Sequence, residues 1–575
     1  MKNADVARTF REIADLLEIK GEQVFRVNSY RRVARSVADL ATDIADVAAR
    51  GELAGLPGVG KASAAKIQEY LDTGQIAARQ QLAQEMPESL LQLLEIQGLG
   101  PKKATLLWRE VGVTSLEDLK NAITAGKLDT LKGFGKKSID RIRAGIDFLA
   151  RGAGRTRLGV AWPIAEELRE TIILWPGVKR VEHAGSLRRG RETVGDLDLL
   201  CLADDGERIV KRFTELPMVQ RVLAAGSTKG SVQIEDARGR PLQVDLRVVP
   251  EDSFGAAWQY FTGSKEHNVR LRERAVRRGW SLNEYGLSDG DTILASRTEQ
   301  DIYAALELPW IPPELREDRG EFELDAVPPD LLTLDHIRGD IHMHTTASDG
   351  RCSIAEMVAA AKLCGYEYVC ITEHSQASII ANGLEPDRLA RHAAQVREIA
   401  KQTKGIAVWI GAEVDILADG RLDYADDVLA GLDFVVASVH SGMSKDRDAN
   451  TRRTLAAIRN PFVNLIAHPT GRMIGKREAM PLDIEAVARQ AARTGTALEI
   501  NASTFRLDLK DTHARLARDL GALIGINTDA HHIDQLDQMR FGVWTARRAG
   551  LLKSDVLNTR SAREVRRFVK KKRKS

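Results

Sequence analysis

Gly185-Ser186-Leu187-Arg188-Arg189-Gly190 is a turn, followed at Gly195-Asp196-Leu197-Asp198 by an acidic strand. On a strand, residues two apart point to the same face, so Asp196 and Asp198 share one. Two carboxylates on one face repel unless a cation lies between them. Asp245, in Gln243-Val244-Asp245-Leu246-Arg247, is placed to add a third from a neighbouring strand. Hard oxygen donors of this kind suit Mg²⁺, and two such ions can clamp the attacking and leaving oxygens of a phosphoryl transfer. The turn upstream supplies backbone N–H groups, the Ser186 hydroxyl and arginine guanidinium groups, which together can hold a triphosphate. A lone Asp-x-Asp is a weak signal, because acidic strand ends are common. The complete run from Gly185 to Asp198 is a specific one.

Towards the N-terminus the first 150 residues read as helical, with Val6, Phe10, Ile13, Leu16 and Leu17 at helical spacing. A short pattern recurs in them as Leu56-Pro57-Gly58-Val59-Gly60, Ile96-Gln97-Gly98-Leu99-Gly100 and Leu131-Lys132-Gly133-Phe134-Gly135. The paired glycines Gly58/Gly60, Gly98/Gly100 and Gly133/Gly135 allow a tight turn between helices and a close backbone approach to a ligand. The N–H groups of the turn and of the following helix start then face an anion. Lys61, Lys102 and Lys136 follow the three turns. A single copy would read as an ordinary helix connection; three copies point to a binder of phosphate backbone.

Towards the C-terminus, residues 309–329 are rich in Pro, Glu, Asp and Arg and read as a linker. Seven apolar strands separated by helical stretches then suggest an α/β barrel: 339–344, 366–374, 407–415, 434–440, 463–468, 497–501 and 522–529. His342, His344, His374, His440, His468 and His531 fall at or just beyond the ends of these strands, as do Asp349, Glu413 and Asp529. In a parallel barrel those ends converge on one pocket. Nine ligand-type residues exceed the needs of one ion, so two or three ions are expected, with Glu413 as the bridging carboxylate. Mixed imidazole and carboxylate donors fit Zn²⁺ or Mn²⁺ better than Mg²⁺. The chemistry expected is hydrolysis of a phosphoester, with Arg472 as a holder of the substrate phosphate.

Composition bounds the rest. The length of 575 residues implies several domains. There is no run of 18 or more apolar residues, and MKNADVARTF lacks the apolar core of a signal sequence, so a cytoplasmic protein with no membrane partner is expected. Cys201, Cys352, Cys364 and Cys370 show no Cys-x-x-Cys spacing, which argues against a thiolate zinc site. The formal net charge is only +3, but two stretches are basic: Lys265–Arg278 with six basic and two acidic residues, and Arg563–Ser575 with eight basic and one. The last reads either as a disordered tail or as a phosphate-neutralising segment.

Gly185 to Leu200, with Tyr260-Phe261-Thr262-Gly263-Ser264 and Asn283-Glu284-Tyr285 in order behind it, resembles the X-family DNA polymerases, of which polymerase beta is one. The glycine turns resemble helix-hairpin-helix motifs, and residues 336–575 resemble the PHP (polymerase and histidinol phosphatase) domain. This resemblance implies a multidomain chain: a helical lyase-like domain at 1–85, a second helix-hairpin-helix subdomain at 86–150, an α+β nucleotidyltransferase palm at 151–250, a thumb at 251–315, a linker at 316–335 and a distorted α/β barrel at 336–575. It implies that Asp196, Asp198 and Asp245 bind two metal ions and that Asp245 helps to activate the primer 3′-hydroxyl. Gly185, Ser186, Arg189 and Gly195 would meet the incoming nucleotide's phosphates. Tyr260, Phe261 and Gly263 would wall its sugar. Asn268 and Arg272 would approach the nascent pair and the template. The nine barrel residues match the PHP ligand positions, with Glu373 standing where the family usually has Asp.

Val194 replaces a serine and Lys265 an acidic residue of the polymerase pattern, which predicts altered nucleotide affinity rather than lost chemistry. Lys66 falls at the Schiff-base position of the lyase domain; Arg26 and Tyr30 match that pocket, and Ala62 does not. The implied protein fills gaps in primer-template DNA from deoxynucleoside triphosphates, trims 3′ ends in the barrel, or cleaves apurinic sites there, and acts as a monomer. The alternatives are a PHP phosphoesterase with a non-catalytic DNA-binding half and a DNA-end scaffold without catalysis.

Overall fold

The computed structural model describes residues 3–38, 44–56, 58–94, 96, 99–129, 131, 133–136, 138–140, 142–143, 146, 155–236, 239–443 and 446–574. Gly98 lies outside them. The chain divides into two compact units, Met1–Ala153 with Gly475–Arg477 and Gly154–Ile474 with Glu478–Ser575.

The first unit is helical. In the helix Asn3–Lys20, Val6, Phe10, Ile13 and Leu17 recur every three or four residues and lie buried on one face. At the glycine turns the sequence pattern becomes geometry. Gly58 and Gly133 take φ of +76° and +92°, a left-handed conformation that only glycine adopts cheaply. Val59, Leu99 and Phe134 in the middle of each turn are buried. Gly60 and Gly100 cap the helices Lys61–Thr73 and Pro101–Leu106 with nearly equal backbone angles, φ −84°, ψ 173° and φ −86°, ψ 174°. Lys61, Lys102 and Lys136 are exposed.

The second unit begins with a five-stranded mixed sheet. Its strands are β1 (Val178–His183), β2 (Asp196–Ala203), β3 (Arg221–Ala225), β4 (Lys229–Glu235) and β5 (Pro241–Val249), in the spatial order β1-β2-β5-β4-β3. Leu197, Leu199, Val244, Leu246 and Val232 fill the buried face, which leaves the alternate acids of β2 and β5 on the other. The helices Phe254–Thr262 and Lys265–Val276 follow, then a three-stranded antiparallel sheet (β6 Ser281–Asn283, β7 Gly286–Asp289, β8 Thr292–Ala295) and the helix Glu299–Ala305. Arg188 of the palm turn donates two bonds of 2.8 Å to Glu299, which also accepts from Arg316 at 2.6 Å and from Trp310 at 3.1 Å. This buried charge cluster ties the Arg188 turn to the helix Glu299–Ala305 and to Arg316.

Residues 316–335 join thumb to barrel, but they are not a loose tether. Arg316 is fully buried, and Glu321 bonds the His267 ring at 2.8 Å and two backbone N–H groups.

The barrel strands are β9 (Gly339–Asp340), β10 (Tyr368–His374), β11 (Ala407–Asp415), β12 (Phe434–Ser438), β13 (Leu465–Ile466), β14 (Ala497–Asn501) and β15 (Ile524–Asn527), all parallel and neighbours in sequence order. Beyond β9 and β15 the chain closes the ring: Met343 bridges Ala530, and the His344 N–H donates to Ala530 O at 2.8 Å. The basic C-terminal stretch is no disordered tail. It forms the helix Ala562–Lys572, whose Val565 and Val569 join Tyr368, Trp409 and Phe434 in one apolar cluster. Lys572 donates to Ile458 O at 2.9 Å.

Candidate active sites

In the palm, β2 and β5 run parallel with Asp198 level with Asp245 and Asp196 level with Gln243. The three predicted carboxylates therefore meet on one face. Burial pushes the Asp198 carboxyl up to about 7, and the charges of Asp196 and Asp245 push the same way. Burial acts on Asp245 too, but Lys229 at 2.8 Å, Gln243 at 2.8 Å and Ser231 outweigh it and hold that carboxyl below its usual range. Gly185, at φ +59°, packs so closely that a Cβ there would lie 2.0 Å from an Asp198 oxygen. Only glycine lets the turn pass behind the acids.

Every residue expected to meet the nucleotide lines one cavity of about 910 Å³: Gly185, Ser186, Arg189, Gly195, Tyr260, Phe261, Gly263, Asn268 and Arg272, together with Asp196 and Asp198. Asn268 is held from both sides, donating to Tyr260 O and accepting from Gln259, each at 2.7 Å. Three acids of like charge facing each other, one with its proton affinity raised, form a donor set that fits cations and is ill suited to their absence. The structure also separates two neighbouring arginines that look equivalent in sequence. Arg188 is committed to Glu299, whereas Arg189 faces the cavity and pairs with Glu317 at 3.1 Å. Glu317 in turn accepts from Arg548 of the barrel helix Met539–Arg548 at 2.9 Å. Lys229 and Glu317 were not singled out from the sequence, because both act across strands or domains distant in the chain.

At the C-terminal ends of the barrel strands the nine predicted residues converge. Three overlapping donor groups are present: His344, Asp349, His374 and His531; His342, His344, Glu413 and Asp529; and His374, Glu413 and His440. His468 adjoins the third, with Nε2 2.9 Å from Glu413. Glu413 is fully buried and meets His342, His344, His374, His440 and His468 at 2.9–3.5 Å. Nε2 of His342, both ring nitrogens of His344, Nδ1 of His374, Oε2 of Glu413 and Oδ1 of Asp529 are buried without a hydrogen-bond partner among the described residues. Such groups are costly to leave unpaired. Their convergence fits metal ions. Asp529 and His468 hold φ of +54° and +28°, strained for side-chain-bearing residues and consistent with a built site.

The residues behind the cluster were not found from sequence. Glu499 on β14 accepts from the His342 ring at 2.8 Å, from the His468 N–H at 2.7 Å and from Asn527 at 2.9 Å. Asp415, two residues after Glu413 on β11, lies 3.2 Å from His440 Nδ1. Each carboxylate fixes a ring so that its other nitrogen faces the cluster. Glu373, fully buried, accepts from Thr345 and Ser348 and so holds the loop that presents Asp349. Asp415 could have been anticipated from the period of two; Glu499 reads as an ordinary strand acid.

Arg472 does not face the cluster. It bonds Arg506 O at 2.9 Å, Leu507 O and, across the palm contact, Glu192 at 2.7 Å. Arg506 lies beside the cluster, 3.7 Å from Asp529, and its Nη1 is buried with no hydrogen-bond partner among the described residues. The sequence offers no signal that distinguishes the two, since both follow a strand end. In the first unit Lys66 is half-buried on the helix Lys61–Thr73, and Arg26 is exposed and paired with Glu22 at 3.1 Å.

Comparison with known proteins agrees with this anatomy. Residues 1–76 match a helix-hairpin-helix domain, 90–147 a SAM-like helix-hairpin-helix tandem, 257–317 the DNA polymerase beta thumb and 340–503 the PHP domain. A probable phosphatase of Thermoanaerobacter sp. (strain X514) is 28% identical over 246 residues, 41% of this chain and 95% of the relative. One of Shewanella sp. (strain MR-4) is 33% identical over 202 residues, 33% of this chain and 75% of the relative. The DNA polymerase/3′-5′ exonuclease PolX of Bacillus subtilis (strain 168) is 39% identical over 573 residues, 99% of this chain and all of the relative. With both reaction centres and all the intervening elements included in that match, this chain belongs to the PolX family of DNA polymerase/3′-5′ exonucleases.

Proposed function

We propose that the chain fills short gaps in DNA at the palm and removes 3′-terminal nucleotides in the barrel, using two separate cation sites. One observation supports this above the rest: each centre has a donor set on its own elements, and among the described residues no donor is shared between them. Divalent cations held by these donors supply charge to developing phosphoryl oxygens and lower the proton affinity of the attacking oxygen. The assignment is Mg²⁺ at the palm and two or three Mn²⁺ or Zn²⁺ ions in the barrel.

In the palm, Asp196, Asp198 and Asp245 hold the cations, and Asp245, kept ionised by Lys229, takes the proton from the primer 3′-hydroxyl. Ser186, Arg189 and the backbone at Gly185 and Gly195 hold the triphosphate. Tyr260, Phe261 and Gly263 bound its sugar, while Asn268 and Arg272 face the base pair. In the barrel, the nine ligands would hold the cations, with Glu413 in contact with five of the histidines, and Arg506 would steady the scissile phosphate. The turns around Gly58/Gly60, Gly98/Gly100 and Gly133/Gly135 hold DNA by its backbone, without reading sequence. Lys66 is the assigned lyase residue. Borohydride trapping on a 5′-deoxyribose-phosphate end checks it: a cross-link lost in Lys66→Ala is expected.

The test of the whole reading is a gapped duplex with a labelled primer. Addition of one nucleotide is expected with deoxynucleoside triphosphates, and shortening from the 3′ end without them in Mn²⁺. Hydrolysis of p-nitrophenyl phosphate with no change to the primer would replace this reading with that of a small-molecule phosphoesterase.

A further inference from the structure

Most of the barrel cluster is closed to solvent, but three of its ligands open outwards. The side chains of Asp349, His531 and His440 are 35%, 27% and 22% exposed, against 9% or less for His342, His344, His374, Glu413, His468 and Asp529. They mark the mouth. A five-residue strap, Ser378–Asn382, spans it from the His440 side to the Asp349 side. At one end the Ser378 hydroxyl donates to Asp415 at 2.6 Å and lies 3.3 Å from His440 Nδ1. At the other end the Asn382 amide donates to Ala347 O at 3.3 Å and Ser348 O at 3.2 Å, immediately before Asp349. Arg388 clamps that end to Ala347 O at 2.9 Å and to Gly383 O at 3.3 Å. Asn382 turns the chain back with φ +55°.

The strap is therefore tied at both feet, yet its tip carries two adjacent isoleucines in open solvent: Ile379 is 83% exposed and Ile380 105%. A lone exposed apolar side chain needs no explanation. A pair on a firmly anchored turn at the rim of a reaction centre is a contact surface. A polymer whose scissile phosphate sits at the cluster carries its bases past this rim. Every base offers an apolar π-face, and aliphatic side chains can take it once the base is unstacked. Arg506, on the Asp529 side, offers charge to phosphate; the tip of the strap, at Ile379 and Ile380, offers apolar surface.

We propose that Ile379 and Ile380 form an apolar ledge that receives the terminal nucleobases of a DNA 3′ end whose scissile phosphate lies at the barrel cluster. The proposal rests on the exonuclease reading above. A paired end keeps its base faces in the helical stack, and the ledge gains nothing from it until the end frays.

The test is a cycle between the ledge and the bases. Ile379→Ser/Ile380→Ser is compared with the unaltered protein on two single-stranded oligonucleotides, one with natural 3′-terminal nucleotides and one ending in tetrahydrofuran abasic residues. The expected result is a roughly tenfold fall in kcat/KM for the natural end, the size of one lost base contact, and little change for the abasic end. Ile380→Phe keeps an apolar platform and is expected to retain the natural-end rate. Both residues are exposed, so the fold is not at stake, and equal metal content of the variants verifies this. Equal losses on both ends, or no loss on either, overturn the ledge; the second outcome is also what a surface for another protein or a second copy would give. Failure of the unaltered protein to shorten either oligonucleotide would instead overturn the exonuclease reading.

Discussion

The two cation centres of this chain are built on opposite plans. The palm offers carboxylates alone, on a sheet face that opens into a cavity of about 910 Å³, with Lys229 and Arg189 close by. The barrel offers six imidazoles and three carboxylates at the ends of successive strands, most of them buried, with several ring nitrogens and carboxylate oxygens lacking a hydrogen-bond partner among the described residues. Oxygen donors in an open cavity suit ions that come and go with a triphosphate. Buried imidazoles with their rings fixed from behind suit resident ions. On the function proposed above, the contrast is between a site completed by its substrate and one complete before the substrate arrives.

The largest effect that sharpens this contrast lies at Glu413, which touches five barrel histidines. Glu413→Gln is expected to reduce 3′-end removal by about a thousandfold or more, since it takes the charge from the centre of the cluster. Nucleotide addition stays intact, and elemental analysis reads the lost metal. Next comes Glu499→Gln, which leaves every ligand in place but weakens the hold on the His342 ring. A fall in barrel metal affinity of about 10–100-fold is expected, measured by competition with a chelator.

The third effect belongs to the palm. Burial pushes the Asp198 carboxyl up to about 7, and a cation requires the ionised form. Palm affinity for Mg²⁺ should therefore fall about tenfold per pH unit below pH 7 and level off above it, the signature of one displaced proton. The sign for folding is the reverse. A raised carboxyl contributes stability at low pH that is lost as pH climbs through about 7, and a bound cation restores it. Titrations between pH 6 and 8 in a Glu413→Gln background isolate the palm. An affinity flat across that range would contradict the assignment. The smallest effect is at Glu317, which shares its charge between Arg189 and the barrel's Arg548. Glu317→Gln leaves the Arg189 charge more available, and the KM for the nucleotide is expected to fall about threefold in steady-state kinetics.

Much of this was legible in the sequence because local rules carried it. A period of two placed Asp196 and Asp198 on one face, and strand-end histidines placed the barrel cluster. Paired glycines marked the turns that Gly58 and Gly133 make with positive φ. What the sequence hid depends on partners far along the chain. Arg188 and Arg189 are adjacent, and only Glu299 and Glu317, more than a hundred residues on, separate their tasks. Arg472 does not take the place expected of it, because Glu192 of the palm and the Arg506 and Leu507 carbonyls capture it. The basic stretch after Arg563 looked like a solvated tail, since its charge outnumbers Val565, Phe568 and Val569, the residues that dock it. Ring closure between Met343 and Ala530 joins two single residues and leaves no pattern to read.

The most direct test of two independent centres is a single gel. A labelled primer on gapped DNA is incubated in Mn²⁺, with and without deoxynucleoside triphosphates, with Asp196→Ala/Asp198→Ala and with His342→Ala/His344→Ala. The first variant should shorten the primer and never extend it; the second should extend it and never shorten it. Loss of both activities in either variant, with the protein folded, would contradict the account.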